Sequence, residues 1–261
     1  MTTHLLIIDP QNSFCHPEGA LYVPGAEEDM KRLADFLRAA GGRIDRATVT
    51  LDSHNKIHIA HPNWWVDPDG NPPDPFTGMT FEEVRDGRWR AANPEHQEWS
   101  MLYMRQVGSQ TVWPVHCLIG TEAHEVFGEL LPALNDWRAQ YDQLDFLFKG
   151  FNRYTEHFSA IRAAVEIIDD PFTHLNRALL RVLEAADTVL VAGEAASHCV
   201  ADTLDDIVEY SEDKEIGSKL TLLTDTMSAV PGFEKTAQAF YGRMESAGAR
   251  FTTTDRVFSD G

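Results

Sequence analysis

The sequence predicts an α/β fold in three layers, αβα, with helices on both faces of a mainly parallel central sheet. Short apolar runs alternate with helical segments along most of the chain. The first run, residues 4–8, ends in Asp9-Pro10, which is typical of a buried parallel strand that stops where a loop begins. Strands that alternate with helices are joined by right-handed crossovers. We therefore expect one domain over residues 1–261.

The predicted elements follow one another in a regular order. In the first helix, residues 27–40, Met30, Leu33 and Leu37 lie at helical spacing, and Gly41-Gly42 is a C-terminal stop signal. The other predicted helices are 173–186, 197–210 and 233–246. The predicted strands are 4–8, 47–51, 144–148, 188–192, 220–224 and 250–253.

An excursion at residues 62–112 interrupts this order. It is rich in Pro, Gly and Asp, and it contains Trp64, Trp65, Trp89 and Trp99. One interpretation is a solvated surface loop, and the other is an active-site lid or an oligomer contact. The tryptophans favour burial. We therefore expect the excursion to pack over or beside the active site, within its own subunit or across a homo-oligomeric interface.

The composition excludes several partners. The 41 acidic residues outnumber the 22 basic ones, and the formal charge of -19 opposes binding to nucleic acid and to anionic membranes. No run approaches the roughly 20 apolar residues that span a bilayer, and no leader sequence is visible at the N-terminus, which predicts a cytoplasmic protein. Three cysteines do not form a disulfide framework, so at least one thiol is expected to be free.

Reactive side chains follow the predicted strands. Asp9, Asp52, Lys149 and the turn GEAASHC before Cys199 all come directly after apolar runs. Ligands bind beyond the carboxyl ends of parallel strands, so these residues are candidates for a common site. Cys199 falls in the first turn of a helix, where the helix dipole favours a thiolate. An isolated cysteine is more often a small buried apolar residue, but Asp9 and Lys149 would supply a base and a cation.

A second group of residues has the donors of a metal site. Asp52 and His54 are two residues apart, and His58, His61 and His116 follow them. A carboxylate and an imidazole in a loop at a strand end are able to share one cation with a third ligand from elsewhere. The alternative is that Asp52 caps a turn and that His54 is an ordinary exposed residue.

Several segments together resemble the nicotinamidase and isochorismatase-like cysteine hydrolases. They occur in the family's order and are LLIIDPQNSF (5–14), TLDSH (50–54), WPVHCLIGT (113–121), FKGFNRYTEHFSA (148–160) and AGEAASHCVADT (192–203). The WP-x-HC segment is more typical of nicotinamidases than of isochorismatases.

The resemblance implies a set of roles for these residues. It implies a catalytic triad of Asp9, Lys149 and Cys199, and an oxyanion hole formed by the N–H groups of Ala195 and Cys199, beside a cis peptide between Glu194 and Ala195. It also implies a cavity at Phe14 and Trp113, and a small-molecule amide substrate. One divalent metal ion, which is zinc, iron or manganese, would be held by Asp52, His54 and His116, with His58 as a further candidate and His61 ranked below it. A homo-oligomer is the expected assembly.

Some features depart from the nicotinamidase pattern. Glu194 stands where an apolar residue is usual, Ala196-Ser197-His198 replaces a more usual turn, and His157 lies close to the lysine loop. These departures leave the substrate open among nicotinamide, another amide or ureido compound, and a vinyl ether. Cys199 and the three metal-ligand candidates disfavour the vinyl ether. A catalytically silent binding protein is the alternative from another functional class.

Overall fold

The computed structural model describes residues 1–141 and 143–259 of the chain. Its strands are β1 Thr3–Ile8, β2 Arg46–Asp52, β3 Trp65–Val66, β4 Gly78–Thr80, β5 Arg90–Ala91, β6 Ser109–Thr111, β7 Leu144–Lys149, β8 Thr188–Gly193, β9 Leu220–Leu223 and β10 Arg250–Thr252. Its helices are α1 Asn12–Cys15, α2 Ala26–Ala40, α3 Phe81–Arg85, α4 Gln97–Val107, α5 Leu130–Tyr141, α6 Arg177–Glu184, α7 Cys199–Tyr210, α8 Ile216–Lys219 and α9 Glu234–Ser246.

Six strands form the central sheet, in the order β10-β9-β8-β1-β2-β7. All of the pairings in this sheet are parallel. The predicted fold class is therefore confirmed. Because β1 lies between β8 and β2, the carboxyl ends of these three strands meet at one edge.

Alternation along each strand divides the core into two layers. Leu5 and Ile7 of β1 pack in one cluster with residues of α2 and α5, whereas Leu6 and Ile8 pack in the other with residues of α6, α7 and α9. Each face of the sheet is thus covered by helices, which explains why the central strands are apolar at nearly every position.

Helix α5 and the start of α6 differ from the sequence prediction. We did not predict α5, which contains Pro132 near its beginning, a position where proline is tolerated. The predicted helix 173–186 begins later, at Arg177, because Asn176 caps it by accepting a hydrogen bond from Leu179 N. Residues 171–173 form a separate 3₁₀ turn.

The excursion is folded and has a small core of its own. Strand β3 pairs with β5 and β4 pairs with β6, both antiparallel. Trp64 and Trp65 are buried, in a cluster with Tyr103 and Met104 of α4. The burial expected of the tryptophans is observed at Trp64 and Trp65. A solvated loop would leave these rings in water.

Within residues 1–141 and 143–259, no helix combines the length and the apolar character needed to cross a membrane. Cys15, Cys117 and Cys199 are all free and buried.

At the end of β8, Gly193 has φ +114°, and a Cβ there would lie 2.0 Å from Ile8 O, so only glycine allows this close approach to β1.

A buried histidine on β1 should make stability depend on pH. His4 is 2% exposed, and its Nε2 lies 3.0 Å from Thr48 Oγ1. Burial, with Arg46 adding to it, lowers the pKa of His4 to about 4. The pKa of a histidine in an unfolded chain is about 6.5. As the pH falls below this value, the unfolded chain binds more protons than the folded protein does, and the folded state loses stability.

We therefore expect the decrease in the free energy of unfolding between pH 7 and pH 5 to be about 2 kcal/mol smaller in His4→Gln than in the wild type. Urea unfolding at the two pH values measures this difference. His16→Gln, at an exposed histidine, is the matched control and should leave the dependence as it is. Equal slopes for wild type and His4→Gln would contradict the assignment.

Candidate active site and metal centre

The candidate residues meet at the carboxyl edge of the sheet. Asp9 directly follows β1, and Asp52 is the last residue of β2. Lys149 ends β7 and is in register with Asp52. The turn that leads to Cys199 follows β8, whose last residue is in register with Ile8 of β1. The parallel pairing therefore brings four distant segments of the chain to one place.

Lys149 lies at the centre of this group. Its Nζ is 2.9 Å from Asp9 Oδ2, 3.3 Å from Asp52 Oδ1 and 3.6 Å from Cys199 Sγ, and it donates a hydrogen bond of 2.8 Å to His157 O. Burial alone would lower the pKa of Lys149, but the carboxylates of Asp52 and Asp9 raise it well above its usual value. The lysine is therefore a fixed buried cation.

Asp9 is held in a position suited to a base. Thr50 Oγ1 donates a hydrogen bond of 2.6 Å to Asp9 Oδ1 and accepts one of 3.0 Å from Asp9 N. Burial raises the pKa of Asp9, although Lys149 opposes that shift. A carboxylate with a raised pKa is a stronger proton acceptor than a free aspartate.

Burial dominates the protonation of Cys199. Helix α7 begins at Cys199, so this residue lies in the first turn of the helix. The helix terminus and the charge of Lys149 favour a thiolate, but burial raises the pKa of the thiol well above its usual value. The thiol therefore needs a base, the role expected of Asp9.

Hydrogen bonds to Ser228 hold the loop before Cys199 in place. The peptide between Glu194 and Ala195 is cis, as the resemblance implies. Ala196 N donates to Ser228 O at 2.8 Å, and Glu194 Oε2 accepts from Ser228 N at 3.0 Å. Glu194 is fully buried, and burial together with Asp29 raises its pKa well above the usual value. Glu194 is therefore a neutral anchor and does not line the substrate cavity described below.

The predicted metal ligands form a buried cluster. Asp52 Oδ2 lies 2.9 Å from His54 Nε2 and 3.2 Å from His116 Nε2. Burial opposes ionisation of Asp52, but His54 and Lys149 hold its pKa well below the usual value. Gly150 closes this side of the cluster, since a Cβ there would lie 2.9 Å from Asp52 Oδ1. Asp52 thus places one anionic oxygen beside a nitrogen of each of two imidazoles, a donor set that suits a divalent transition metal.

His61 lies inside this cluster, contrary to its low rank in the sequence analysis. One donor atom from each of His54, His61 and His116 lies within 4.8 Å of the others. His61 Nε2 is 3.3 Å from His116 Nδ1, and burial lowers the pKa of His61 to about 2, which keeps the imidazole neutral with one nitrogen lone pair free. In the sequence, the position of His61 seven residues after His54 is the signal that indicates its place in this cluster.

His58 belongs to a neighbouring group. A donor atom of His58 lies within 4.8 Å of donors from His54 and Glu156. Burial lowers the pKa of His58 well below its usual value. Glu156 is 4% exposed, and we did not select it from the sequence. No local pattern marked it, because its role depends on a contact with residues about 100 positions earlier in the chain.

A small cavity, the inner cavity, is lined both by the thiol and by predicted metal ligands. Phe14 and Trp113, both predicted, line it together with Ala195, Cys199, Asp52 and His116. Its volume is about 30 Å³. The lining therefore combines aromatic rings with the candidate nucleophile and with candidate metal ligands.

The chain is similar in sequence to known nicotinamidases. No protein-family model matches the chain. The nicotinamidase of Saccharomyces cerevisiae is 26% identical over 221 residues, which is 85% of each chain. The nicotinamidase of Acinetobacter baylyi is 28% identical over 199 residues, which is 76% of this chain and 71% of the relative.

Solved structures show the same fold. The yeast nicotinamidase superposes with a TM-score of 0.68 and 21% identity, covering 96% of this chain and 99% of the yeast chain; the same enzyme is also known bound to the inhibitor nicotinaldehyde. The pyrazinamidase of Pyrococcus horikoshii, solved in complex with zinc, gives a TM-score of 0.57 and 18% identity over 97% of this chain and 99% of that chain. The chain is thus similar in sequence to nicotinamidases, and it shares the fold of solved nicotinamidases and pyrazinamidases.

Proposed function

We propose that the protein is an amidohydrolase that converts nicotinamide, or a closely related aromatic carboxamide, to the acid and ammonia. One observation carries the proposal, which is that Cys199 and Asp9 both lie beside Lys149 while Cys199 lines the same cavity as Asp52 and His116. The two curated relatives are nicotinamidases, and the yeast enzyme binds an aldehyde of the same ring.

The first half-reaction follows from the protonation states. Asp9 accepts the proton of the Cys199 thiol while the sulfur attacks the carboxamide carbon, so no free thiolate accumulates in the buried site. The N–H groups of Ala195 and Cys199 are proposed to hold the developing oxyanion, since the N–H of Cys199 lies in the first turn of α7 and has no partner within that helix. Asp9 returns the proton to the departing nitrogen, the C–N bond breaks, and ammonia leaves a thioester.

The second half-reaction uses the same residues. Asp9 accepts a proton from water while the water oxygen attacks the thioester carbon. The C–S bond breaks, the acid is released, and the Cys199 sulfur regains a proton from Asp9. Lys149 stays protonated throughout and compensates the charge on whichever neighbour is anionic.

Asp52, His54 and His116, with His61 as a fourth donor, are proposed to hold one divalent ion. The unpartnered buried atoms His54 Nδ1 and His61 Nδ1 and the anionic Asp52 fit such an ion better than they fit an empty apolar site. When bound, a divalent ion of this kind supplies a Lewis acid that anchors a ring nitrogen or a water molecule. Zinc is bound in the Pyrococcus relative, and zinc, iron and manganese all suit this donor set.

The expected assembly of the protein follows from the resemblance alone. We propose a cytoplasmic homo-oligomer that acts on small molecules and does not bind nucleic acid or membranes. The net charge of -19 supports the last two points.

Ammonia release from nicotinamide by the metal-supplemented protein tests the proposal directly. We expect Cys199→Ala to reduce turnover by at least about 10⁴-fold, because no other group replaces the nucleophile. Cys15→Ser is the matched control, since Cys15 is also buried but lines neither the inner cavity nor the metal cluster, and it should retain activity. Absence of turnover of every amide in a panel of carboxamides would contradict the proposal.

The buried lysine should matter for both activity and stability. Lys149→Met leaves Asp9 and Asp52 without their shared cation, so we expect activity to fall below one hundredth and the protein to lose about 3–5 kcal/mol of stability. Lys31→Met removes an exposed lysine that pairs with Glu28, and it should change neither quantity appreciably. Urea unfolding and initial rates measure both effects; a fully stable Lys149→Met protein would show that the carboxylates do not depend on the lysine.

Metal content tests the cluster without reference to activity. We expect about one divalent ion per chain in the metal-loaded protein, and its loss in Asp52→Asn and His116→Ala, measured by elemental analysis after gel filtration. His61→Phe should weaken binding, because it removes one of the four donors. His124→Ala, at a half-buried histidine bonded to Ser53 outside the cluster, is the control and should keep the ion.

A further inference from the structure

Glu194 lies in the loop that carries the proposed oxyanion donors. This oxyanion loop, residues 194–198, joins the end of β8 to Cys199 at the start of α7, and Ala195 directly follows Glu194. Glu194 has no exposed surface, and it is not among the residues that line the inner cavity. A fully buried carboxyl group that does not contribute to the cavity wall needs another role.

Ser228 connects the oxyanion loop to helix α2. Glu194 Oε2 accepts a hydrogen bond of 3.0 Å from Ser228 N, and Ala196 N donates one of 2.8 Å to Ser228 O. Ser228 Oγ in turn donates a hydrogen bond of 2.6 Å to Asp29 Oδ2. The main chain of Ser228 therefore holds the loop on both sides of Ala195, and its side chain is held by Asp29.

Two carboxyl groups at this place share one guanidinium group. Asp29 is 4% exposed and forms an ion pair with Arg32 Nη2. Arg32 Nε is fixed by a hydrogen bond of 2.7 Å to Asp225 O. Because the guanidinium pairs with Asp29, a second negative charge on Glu194 would lie beside a like charge in a buried site, which is costly.

The contacts of Glu194 match a protonated carboxyl group. Its Oε2 accepts from Ser228 N, whereas its Oε1 is buried and accepts no hydrogen bond from the described residues. A carboxylic acid donates through one oxygen and still accepts through the other. Burial raises the pKa of Glu194 well above its usual value, and the charge of Asp29 and a hydrogen bond between the two carboxyl groups add to the shift.

Two further titratable groups near Glu194 are neutral. Burial raises the pKa of the Cys15 thiol of α1 well above its usual value and that of the Tyr241 hydroxyl of α9 to about 12. The charge of Glu194 adds to both shifts. Neither group carries a positive charge, so neither would compensate an ionised Glu194.

We propose that Glu194 and Asp29 share one proton and act together as positioning residues for the oxyanion loop. The proton lies on Glu194, whose O–H donates to the carboxylate of Asp29. The pair holds Ser228 between α2 and the loop, and Ser228 fixes the peptide groups on either side of Ala195. The positioning role rests on the proposed function, whereas the shared proton is independent of it.

The pH dependence of unfolding tests the shared proton. The pKa of an unfolded glutamate is about 4.3, so above this value the folded protein binds one proton more than the unfolded chain. The ratio of folded to unfolded protein should then fall, with rising pH, about tenfold per pH unit more steeply in wild type than in Glu194→Gln, whose amide donates to Asp29 without titrating. Urea unfolding from pH 6 upward measures this difference. Glu245→Gln, at an exposed glutamate of α9, is the matched control and should keep the wild-type dependence. Equal dependence in wild type and Glu194→Gln overturns the proposal.

Asp29→Asn tests the partner in the pair. It removes the negative charge beside Glu194, so the steeper fall seen in wild type should end at a lower pH in Asp29→Asn, where Glu194 ionises more readily. An end point at the same pH in both proteins would show that burial alone keeps the proton on Glu194, and it would overturn the pairing.

Turnover of nicotinamide tests the positioning role. Glu194→Leu leaves Ser228 N without its acceptor, so we expect kcat to fall by at least about tenfold while KM changes by less than about threefold, since an oxyanion donor acts mainly on the transition state. Glu194→Gln should restore kcat to within about threefold of wild type, and Glu245→Gln should leave both constants unchanged. An unchanged kcat in Glu194→Leu, or a change confined to KM, overturns the positioning role.

Failure of the proposed function is separable from failure of this inference. If the metal-loaded protein hydrolyses no amide, the proposed function is wrong, and the unfolding measurements still decide whether the proton is shared. Hydrogen exchange of the Ala196 amide, which donates to Ser228 O, then tests the positioning without turnover. Faster exchange in Glu194→Leu with wild-type exchange in Glu194→Gln supports the positioning role, and equal exchange in all three proteins overturns it.

Discussion

The interaction on which the rest of the site depends is the burial of one ammonium group among two carboxylates and a thiol. Lys149 Nζ contacts Asp9, Asp52 and Cys199, and it is 2% exposed. Without this cation, two carboxylates at the ends of neighbouring strands would repel each other in a medium of low polarity. Lys149 therefore joins the half of the site that carries the candidate nucleophile to the half that carries the candidate metal ligands.

Burial determines how the proposed chemistry proceeds. Desolvation raises the pKa of both Cys199 and Asp9, so the resting pair is a neutral thiol beside a strong base. Such a thiol is protected from oxidation and becomes nucleophilic only when a carbonyl carbon is close enough to accept the sulfur as the proton leaves. An exposed thiolate at the same helix terminus would be more reactive toward every electrophile and less selective.

The sequence predicted most of the sheet and most of the site, for a common physical reason. Buried parallel strands are apolar along their whole length, so a polar residue at the end of each, such as Asp9 or Lys149, is conspicuous. Helix α5 escaped prediction because Pro132 lies within its first turn. Glu156 was not selected because its contact with His54 and His58 arises from packing between segments that are distant in the chain, which local spacing does not record.

The position of the excursion bears on how one site could serve different substrates. Its aromatic residues pack in a cluster separate from the two layers on the sheet, so its loops are able to change without disturbing Asp9, Lys149 or Cys199. Its two ends adjoin the candidate site, since His58 and His61 precede it and Trp113 and His116 follow it. We therefore expect the excursion to form part of the entrance wall. Substrate choice would then depend on the excursion, while the strand ends that carry the candidate catalytic residues stay the same.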